Sequence, residues 1–354
     1  VFEALPKSGG MMTYAIPAYR LPKTIIEKEI KALVDYGVTI KNNIEIGRDK
    51  TIEQLRQEGF KAIYLGAGAW NSVIPKLEGL NHEKVITGLQ FLYKINNNEK
   101  MEIGKRVAVI GGGNTAIDAA RTARRLGADV SLVYRRTRSE MPADIEEIKQ
   151  AEQEGVKLCF LQNIKSICER NGCMLANMVK MRLGEFDRSG RRRPVEIETS
   201  SFDQEIDTVI LALGQKTKIN AIAKTENIDL NRNETVRAYS NKGKTSVEDI
   251  FAGGDVLIGP ATVVEAIGAA QDAAEEIDSY LSGRQEKEYY PWRVKDPIDV
   301  SFNPEEEPVS WDRAEHQMIP VNQRKDDLEV EKTWESTTAK KESERCLRCE
   351  YKEE

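Results

Sequence analysis

A short apolar strand runs into a glycine turn and then into a helical pattern at Arg106-Val107-Ala108-Val109-Ile110-Gly111-Gly112-Gly113-Asn114-Thr115-Ala116. The turn reads Gly-x-Gly-x-x-Ala. Its first glycine allows a tight turn, Gly113 lets a pyrophosphate approach the backbone, and Ala116 lets the helix pack close to the strand. The helical reading rests on spacing: Ala116, Ile117, Ala120, Ala123 and Gly127 mark one face, and Asp118, Arg121, Arg124 and Arg125 the other. Asn114 is the expected N-cap and Gly127 the expected terminator. A second strand is expected at Val130-Ser131-Leu132-Val133-Tyr134. Strand, glycine turn, helix and strand in this order predict a dinucleotide site on a parallel α/β sheet.

The end of that second strand bears on which dinucleotide is bound. An NAD site usually places an acid there, about 20 residues after the glycines, to hold the ribose 2′-hydroxyl. Here the chain reads Tyr134-Arg135-Arg136-Thr137-Arg138. Guanidinium groups suit a 2′-phosphate by charge and by bidentate geometry, which favours NADPH over NADH.

A chain of 354 residues accommodates two domains and a tail. A formal net charge of −6 argues against a nucleic-acid partner. The basic run Arg188-Ser189-Gly190-Arg191-Arg192-Arg193 lies between Asp187 and Pro194 and reads as a solvated hairpin tip. No apolar run has the length of a membrane span, and no signal peptide opens the chain. The five cysteines are unevenly spread and suggest no secreted disulfide framework, so a cytoplasmic protein is expected.

Along the chain, a helix is expected at Lys23–Tyr36 and strands at Val38–Ile44 and Ala62–Leu65. A helix at Ala143–Glu154, a strand at Val156–Phe160 and an apolar strand at Asp207–Gly214 follow the glycine motif. Ile250-Phe251-Ala252-Gly253-Gly254-Asp255 then precedes a long helix from about Thr262 to Leu281. The charged stretch from Gly283 onward holds Trp292, Trp311 and Trp334, and reads as an extended arm docked by aromatic side chains.

The segment Phe2-Glu3-Ala4, Gly9-Gly10-Met11 and Ile16-Pro17-Ala18-Tyr19-Arg20-Leu21-Pro22 resembles the flavin domain of the glutamate synthase small-subunit family. That family includes the flavin module of dihydropyrimidine dehydrogenase and the large subunit of NADH-dependent ferredoxin:NADP oxidoreductase. The likeness continues through Val109–Ala116, Val133–Arg136, Glu140-Met141-Pro142-Ala143, Leu213-Gly214-Gln215 and Phe251–Asp255, covering most of residues 1 to 285. It implies an α/β fold of two Rossmann-like dinucleotide-binding domains, the NAD(P)H domain inserted into a discontinuous FAD domain. The expected layout is residues 1–97 and 238–283 for FAD, 98–237 for NAD(P)H, and 284–354 for the arm. The strand, glycine turn and helix that would precede Val1 in the FAD domain are not in the chain.

The resemblance also implies roles. Glu3 would hold the FAD adenosine ribose, Gly9, Gly10 and Met11 would pass close to the cofactor, and Arg20 would stand near its anionic parts. Gly254 and Asp255 would bind the ribityl or pyrophosphate region, and the helix start at Thr262 and Val263 would face the flavin ring. On the NAD(P)H side the expected contacts are Gly111, Gly112, Gly113, Asn114, Thr115, Ala116, Arg135, Arg136, Arg138, Leu213 and Gly214. Hydride transfer between nicotinamide and flavin needs no protein acid or base, so no catalytic side chain is expected.

Cys168 and Cys173 flank an Asn-Gly turn and, with Cys159, read as structural thiols. Cys346-Leu347-Arg348-Cys349 has the spacing of two ligands of an iron–sulfur or zinc site, and the resemblance implies iron–sulfur, with the other ligands on unseen sequence or on a redox partner subunit carrying clusters. Two other readings stay open. One is a thiol–disulfide reductase using Cys346 and Cys349. The other is a non-catalytic NAD(P)-binding scaffold, if Val1 is the true start.

Overall fold

Strands that are apolar on both faces have to be covered on both sides, and the middle of this chain is arranged to do that. The computed structural model describes residues 1–187, 190–283, 312–325 and 327–345. The chain begins with helices α1 (Gly10–Tyr14), α2 (Lys23–Asp35) and α3 (Ile52–Gln57), then strands β1 (Ile63–Leu65) and β2 (Asn71–Ser72). The central part contains β3 (Val85–Thr87), α4 (Gly88–Asn96), β4 (Arg106–Ile110), α5 (Asn114–Arg125), β5 (Asp129–Tyr134), α6 (Ile145–Gln153) and β6 (Lys157–Phe160). Next come β7 (Gln162–Arg170), β8 (Cys173–Phe186), β9 (Arg192–Glu196), β10 (Phe202–Ile206) and β11 (Thr208–Leu211). The chain returns through β12 (Gln215–Lys216), α7 (Asn220–Glu226), β13 (Ile250–Ala252), α8 (Asp255–Ile258) and α9 (Val263–Ser282), and the described arm ends in α10 (Ser336–Arg345).

Five strands form a parallel sheet in the order β3-β11-β4-β5-β6. Side chains alternate faces along β4, so Val107 and Val109 meet one layer while Ala108 and Ile110 meet the other. Phe91 and Leu92 of α4, Ile117 and Ala120 of α5 and Ile148 of α6 cover the first face. Ile164, Ile167, Met174, Met178 and Ile206 of the antiparallel strands β7, β8 and β10 cover the second. The inserted domain is therefore three layers, helices on parallel sheet on antiparallel sheet. A second core joins Ile63, Leu65, Ile250 and Ala252 of the parallel pair β1–β13 to Ile219, Ala223, Ile228 and Val236.

This packing moves both expected domain boundaries. Val85–Thr87, placed by sequence in the first domain, pairs with β11 in the central sheet. Residues from Ile219 to Val236, placed by sequence in the inserted domain, pack in the core of β1 and β13. Short strands mark neither change, because their partners are distant in sequence. The expected strand at Val38–Ile44 reduces to a single parallel bridge between Phe2 and Lys41.

The polar face of α5 is buried at two of its charges: Asp118 is 6% exposed and Arg121 1%. Glu154 receives Arg121 at 2.8 Å, Arg125 at 2.9 Å and Arg324 at 2.7 Å. Glu147 pairs with Arg121 and, at 2.7 Å, with Arg20, which also pairs with Asp118 at 2.9 Å. The Tyr19 ring lies under the guanidiniums of Arg125 and Arg121 at 3.5 and 4.8 Å. One network thus joins α5 and α6 of the inserted domain to the Tyr19–Arg20 stretch and to the C-terminal arm. Burial works against ionisation of Glu154, but its three guanidinium partners outweigh it and hold the carboxyl below its ordinary value.

The arm docks by other means than expected. Arg324 enters the network, and the N–H of the buried Val330 donates to the Tyr19 carbonyl at 3.1 Å. Trp334 stacks on His316 within the arm itself, and Trp292 and Trp311 lie outside the described residues.

Removing one member of a buried ion network leaves its partner charged and unsatisfied, at about 3–5 kcal/mol. Arg121→Ala should destabilise the protein by that order, read from denaturant unfolding. Asp118 carries a pH signature. Burial pushes its carboxyl up from 3.8 to about 6 against the pull of Arg20. A raised folded value means that its contribution to stability is complete below the unfolded value and lost as pH rises through the folded one. The stability of wild type relative to Asp118→Asn should therefore fall between about pH 4 and pH 6 and level off above. A difference flat across that window would contradict the assignment.

Candidate functional site

The carboxyl ends of β4 and β11 are neighbours in the sheet while their following segments diverge, which opens a cleft at a topological switch point. The cleft has a volume of about 240 Å³, and Gly111–Gly113, Thr115, Leu213–Gln215, Arg135, Arg136 and Arg191 are among its lining residues. Its glycines answer to different constraints. A Cβ on Gly111 would lie 2.2 Å from the Ala212 carbonyl oxygen, and one on Gly112 would lie 2.4 Å from the Tyr134 ring. Those two glycines are required by the protein's own packing. Gly113 has an ordinary φ of −93°, and a Cβ there would find only Pro142, at 3.9 Å. Nothing in the fold demands glycine at 113, so the bare backbone there leaves room for a ligand.

Gly113 also takes the cap position of α5 and has no side chain to satisfy the first-turn N–H groups. Asn114, expected as the cap, is instead the first helical residue, and its side-chain oxygen accepts from the N–H of Asp144 at 3.1 Å. The extended backbone of Gly113 displaced that expectation by one residue. An uncapped helix start over an open glycine is a seat for a pyrophosphate. Ala116 is fully buried, and its methyl is 3.2 Å from where a Gly111 Cβ would lie, the close helix–strand approach expected of it.

The arginines after β5 part ways. Arg135 stands exposed on the cleft wall, where the surrounding protein and then the cations Arg136 and Arg191 disfavour its charged form. Arg136 is 4% exposed, donating from Nε to the Arg192 carbonyl at 2.7 Å and pairing with Asp187 at 2.8 Å. It is mainly a tie between strand end and hairpin. Arg138 pairs with Glu152 and lies over the Phe160 ring at 5.8 Å, apart from the residues that line the cleft. Arg191, read in sequence as part of a solvated tip, lines the cleft. Only the stacking of the antiparallel layer on the sheet reveals it.

The residues expected for FAD fall in two places. The Glu3 N–H donates to the Lys41 carbonyl at 2.9 Å, and its carboxylate accepts from the Leu5 N–H at 2.8 Å. Gly9 has a φ of 109°, and a Cβ would meet Thr13 Oγ1 at 2.3 Å, whereas Gly10, at φ 54°, faces open space next to Met11 in α1. Gly254 has a φ of 66° after β13. Asp255 opens α8 and accepts from the Ala261 N–H at 3.2 Å, and burial pushes its carboxyl up. Thr262 caps α9 in a reciprocal capping box with Glu265, Val263 starts the helix, and Val264 and Ile267 leave an apolar flank exposed at that end. The open approach at Gly10 and the apolar flank beside α9 fit a flavin dinucleotide, while the first turn of α9 is already capped by Thr262 and Glu265. Among the described residues no hydrogen bond joins the Asp255–Thr262 corner to Glu3 or Gly9–Met11. The Arg20 guanidinium pairs with Asp118 and Glu147.

Cys346 and Cys349 lie outside the described residues. Among those described, no group of three or more His, Cys, Asp or Glu side chains is arranged to hold a metal ion. Cys168 lies opposite Leu175 and Cys173 opposite Arg170, so the two are not a cross-strand pair, and both are free thiols, as is Cys159. Among the described residues no helix is long and apolar enough to cross a membrane.

The chain matches the pyridine nucleotide-disulphide oxidoreductase family over residues 3–274. It belongs to that family. Over 363 residues it is 38% identical to the NADP(+)-dependent formate dehydrogenase subunit beta of Moorella thermoacetica, covering 99% of this chain and 50% of that protein. It is 32% identical to the glutamate synthase [NADPH] small chain of Azospirillum brasilense, covering 81% of this chain and 62% of that one. The chain thus spans about half to three-fifths of these relatives. Among solved structures, Mycobacterium tuberculosis FprA in complex with NADPH superposes with a TM-score of 0.68 at 15% identity, over 80% of this chain and 77% of that one. These likenesses bear out the two-domain dinucleotide-binding fold and the glutamate synthase small-subunit resemblance.

The two kinds of glycine predict different failures. Gly113→Ala should fold with near-normal stability and weaken dinucleotide binding at least tenfold. Gly111→Ala should lose stability by several kcal/mol through the clash with Ala212. Unfolding curves and a nucleotide titration distinguish them, and equal behaviour would show that Gly113 serves packing alone.

Proposed function

We propose that this chain oxidises NADPH and passes the electrons through FAD to iron–sulfur centres of a partner subunit. The observation that carries the proposal is a glycine-floored cleft with arginines where an NAD site would place an acid. Gly113 and the start of α5 seat the pyrophosphate, Arg135 meets the 2′-phosphate, and Leu213 and Gly214 close the opposite wall. Glu3 accepts from a ribose hydroxyl of FAD, and Gly9, Gly10 and Met11 pass along the cofactor. Gly254 and Asp255 hold its ribityl or pyrophosphate region. The α9 start at Thr262 and Val263 faces the flavin ring, where its dipole favours negative charge. When bound, FAD exchanges a hydride with the nicotinamide and releases electrons singly. The protein's share of the work is orientation and electrostatics, so no side chain acts as acid or base.

Relatives named as subunits of larger enzymes support the partner. The family resemblance assigns Cys346 and Cys349 as two thiolates of a [4Fe-4S] cluster completed by another segment or subunit. A cytoplasmic location accords with the chain's cysteine usage.

The intact protein, purified from its native source, should show a flavin absorption band that bleaches when NADPH is added without oxygen. A colourless protein that takes up no added FAD would overturn the proposal.

A further inference from the structure

We infer that Arg191, at the tip of the β8–β9 hairpin, supplies the second cation of the 2′-phosphate seat, and that Arg136 is the positioning residue that holds the hairpin there. The inference rests on the NADPH reading above. Arg191 lies 56 residues beyond Arg135 in sequence, yet both line the cleft.

The hairpin is brought there by identifiable bonds. The buried guanidinium of Arg136 donates to the Arg192 carbonyl at 2.7 Å and pairs with Asp187 at 2.8 Å, so it grips the hairpin on both sides of its tip. The tip is closed on itself: the Asp187 N–H donates to the Arg191 carbonyl at 2.7 Å, and the Arg191 N–H donates to the Asp187 carboxylate at 3.3 Å. Arg191 is therefore held at its backbone by the residue that Arg136 anchors. Arg138, the further arginine that sequence puts nearby, is committed to Glu152.

The charge balance of the corner fits a dianion. Burial first, and then Arg136 and Arg191, disfavour the charged form of Arg135, opposed by Tyr134 and Asp187. A phosphate brought to this corner accepts several N–H bonds and offsets the positive charge gathered there. A ribose hydroxyl offers no such compensation, so the corner selects NADPH over NADH.

The test is steady-state oxidation of NADPH and NADH by the intact holoenzyme with an artificial electron acceptor. Charge-assisted bonds of this kind correspond to about a 10- to 100-fold effect. Arg191→Ala should lower the ratio of kcat/KM for NADPH to that for NADH by that factor, mainly through KM, with partial rescue in Arg191→Lys. Arg136→Ala should lower the same ratio, and the double variant should lower it no further than the worse single one, because both act through one hairpin. Where a variant is poorly folded, the preference of the wild type and Arg191→Lys for 2′,5′-ADP over 5′-AMP, measured by calorimetry, decides in its place. An unchanged ratio in Arg191→Ala with a lowered ratio in Arg135→Ala overturns the role of Arg191 alone. A wild type that prefers NADH overturns the NADPH reading with it.

Discussion

Glu154 holds three guanidiniums at one carboxylate, and the arrangement of the molecule follows from that. Arg121 and Arg125 come from α5, Arg324 from the arm, and Glu147 carries the network on to Arg20 and Asp118. Such a cluster is favourable only when each charge finds its partners, because the cost of dehydration is otherwise uncompensated. That requirement makes the geometry specific: α5, α6, the Tyr19–Arg20 stretch and the arm have to meet in one arrangement for the charges to pair. The helix bearing the pyrophosphate seat is thereby fixed against both the first domain and the arm.

The same helix connects this network to the cleft. Its start lies over Gly113 and its middle carries Asp118 and Arg121. The antiparallel layer acts on the opposite face of the sheet, packing under β4 and β5 and carrying its hairpin to the end of β5. The cleft is thus lined from both covering layers: Gly113 and Thr115 at the start of α5, and Arg191 of the hairpin together with Arg135.

Much of this was legible beforehand. The strand, glycine turn and helix were readable because each depends on neighbours within a few residues, and α5 and β5 lie within a residue or two of the expected bounds. Arg135 was readable because its position is counted along a single βαβ unit. Arg191 was not, since the residues around it carry the marks of an ordinary solvated turn. The ion pairs of Arg20 and Arg138 were hidden for a related reason: an arginine near a motif is drawn to whichever carboxylate the fold brings closest, and Asp118, Glu147 and Glu152 are invisible from the motif itself. Asn114 lost the cap to Gly113 through backbone geometry that composition does not express.

The sequence by itself determined the local units: the dinucleotide turn, the parallel α/β pattern, the likeness to a flavoprotein family and the lack of an acid where an NAD site needs one. These follow from short-range sterics and hydrophobic period, which are written in consecutive residues. Only the tertiary structure decided which cations line the cleft and which are buried in the fold's own ion pairs, and where one domain yields to the other. Those outcomes depend on long-range pairing, in which a charge spends its interactions on groups a hundred or more residues away, as Arg324 does on Glu154.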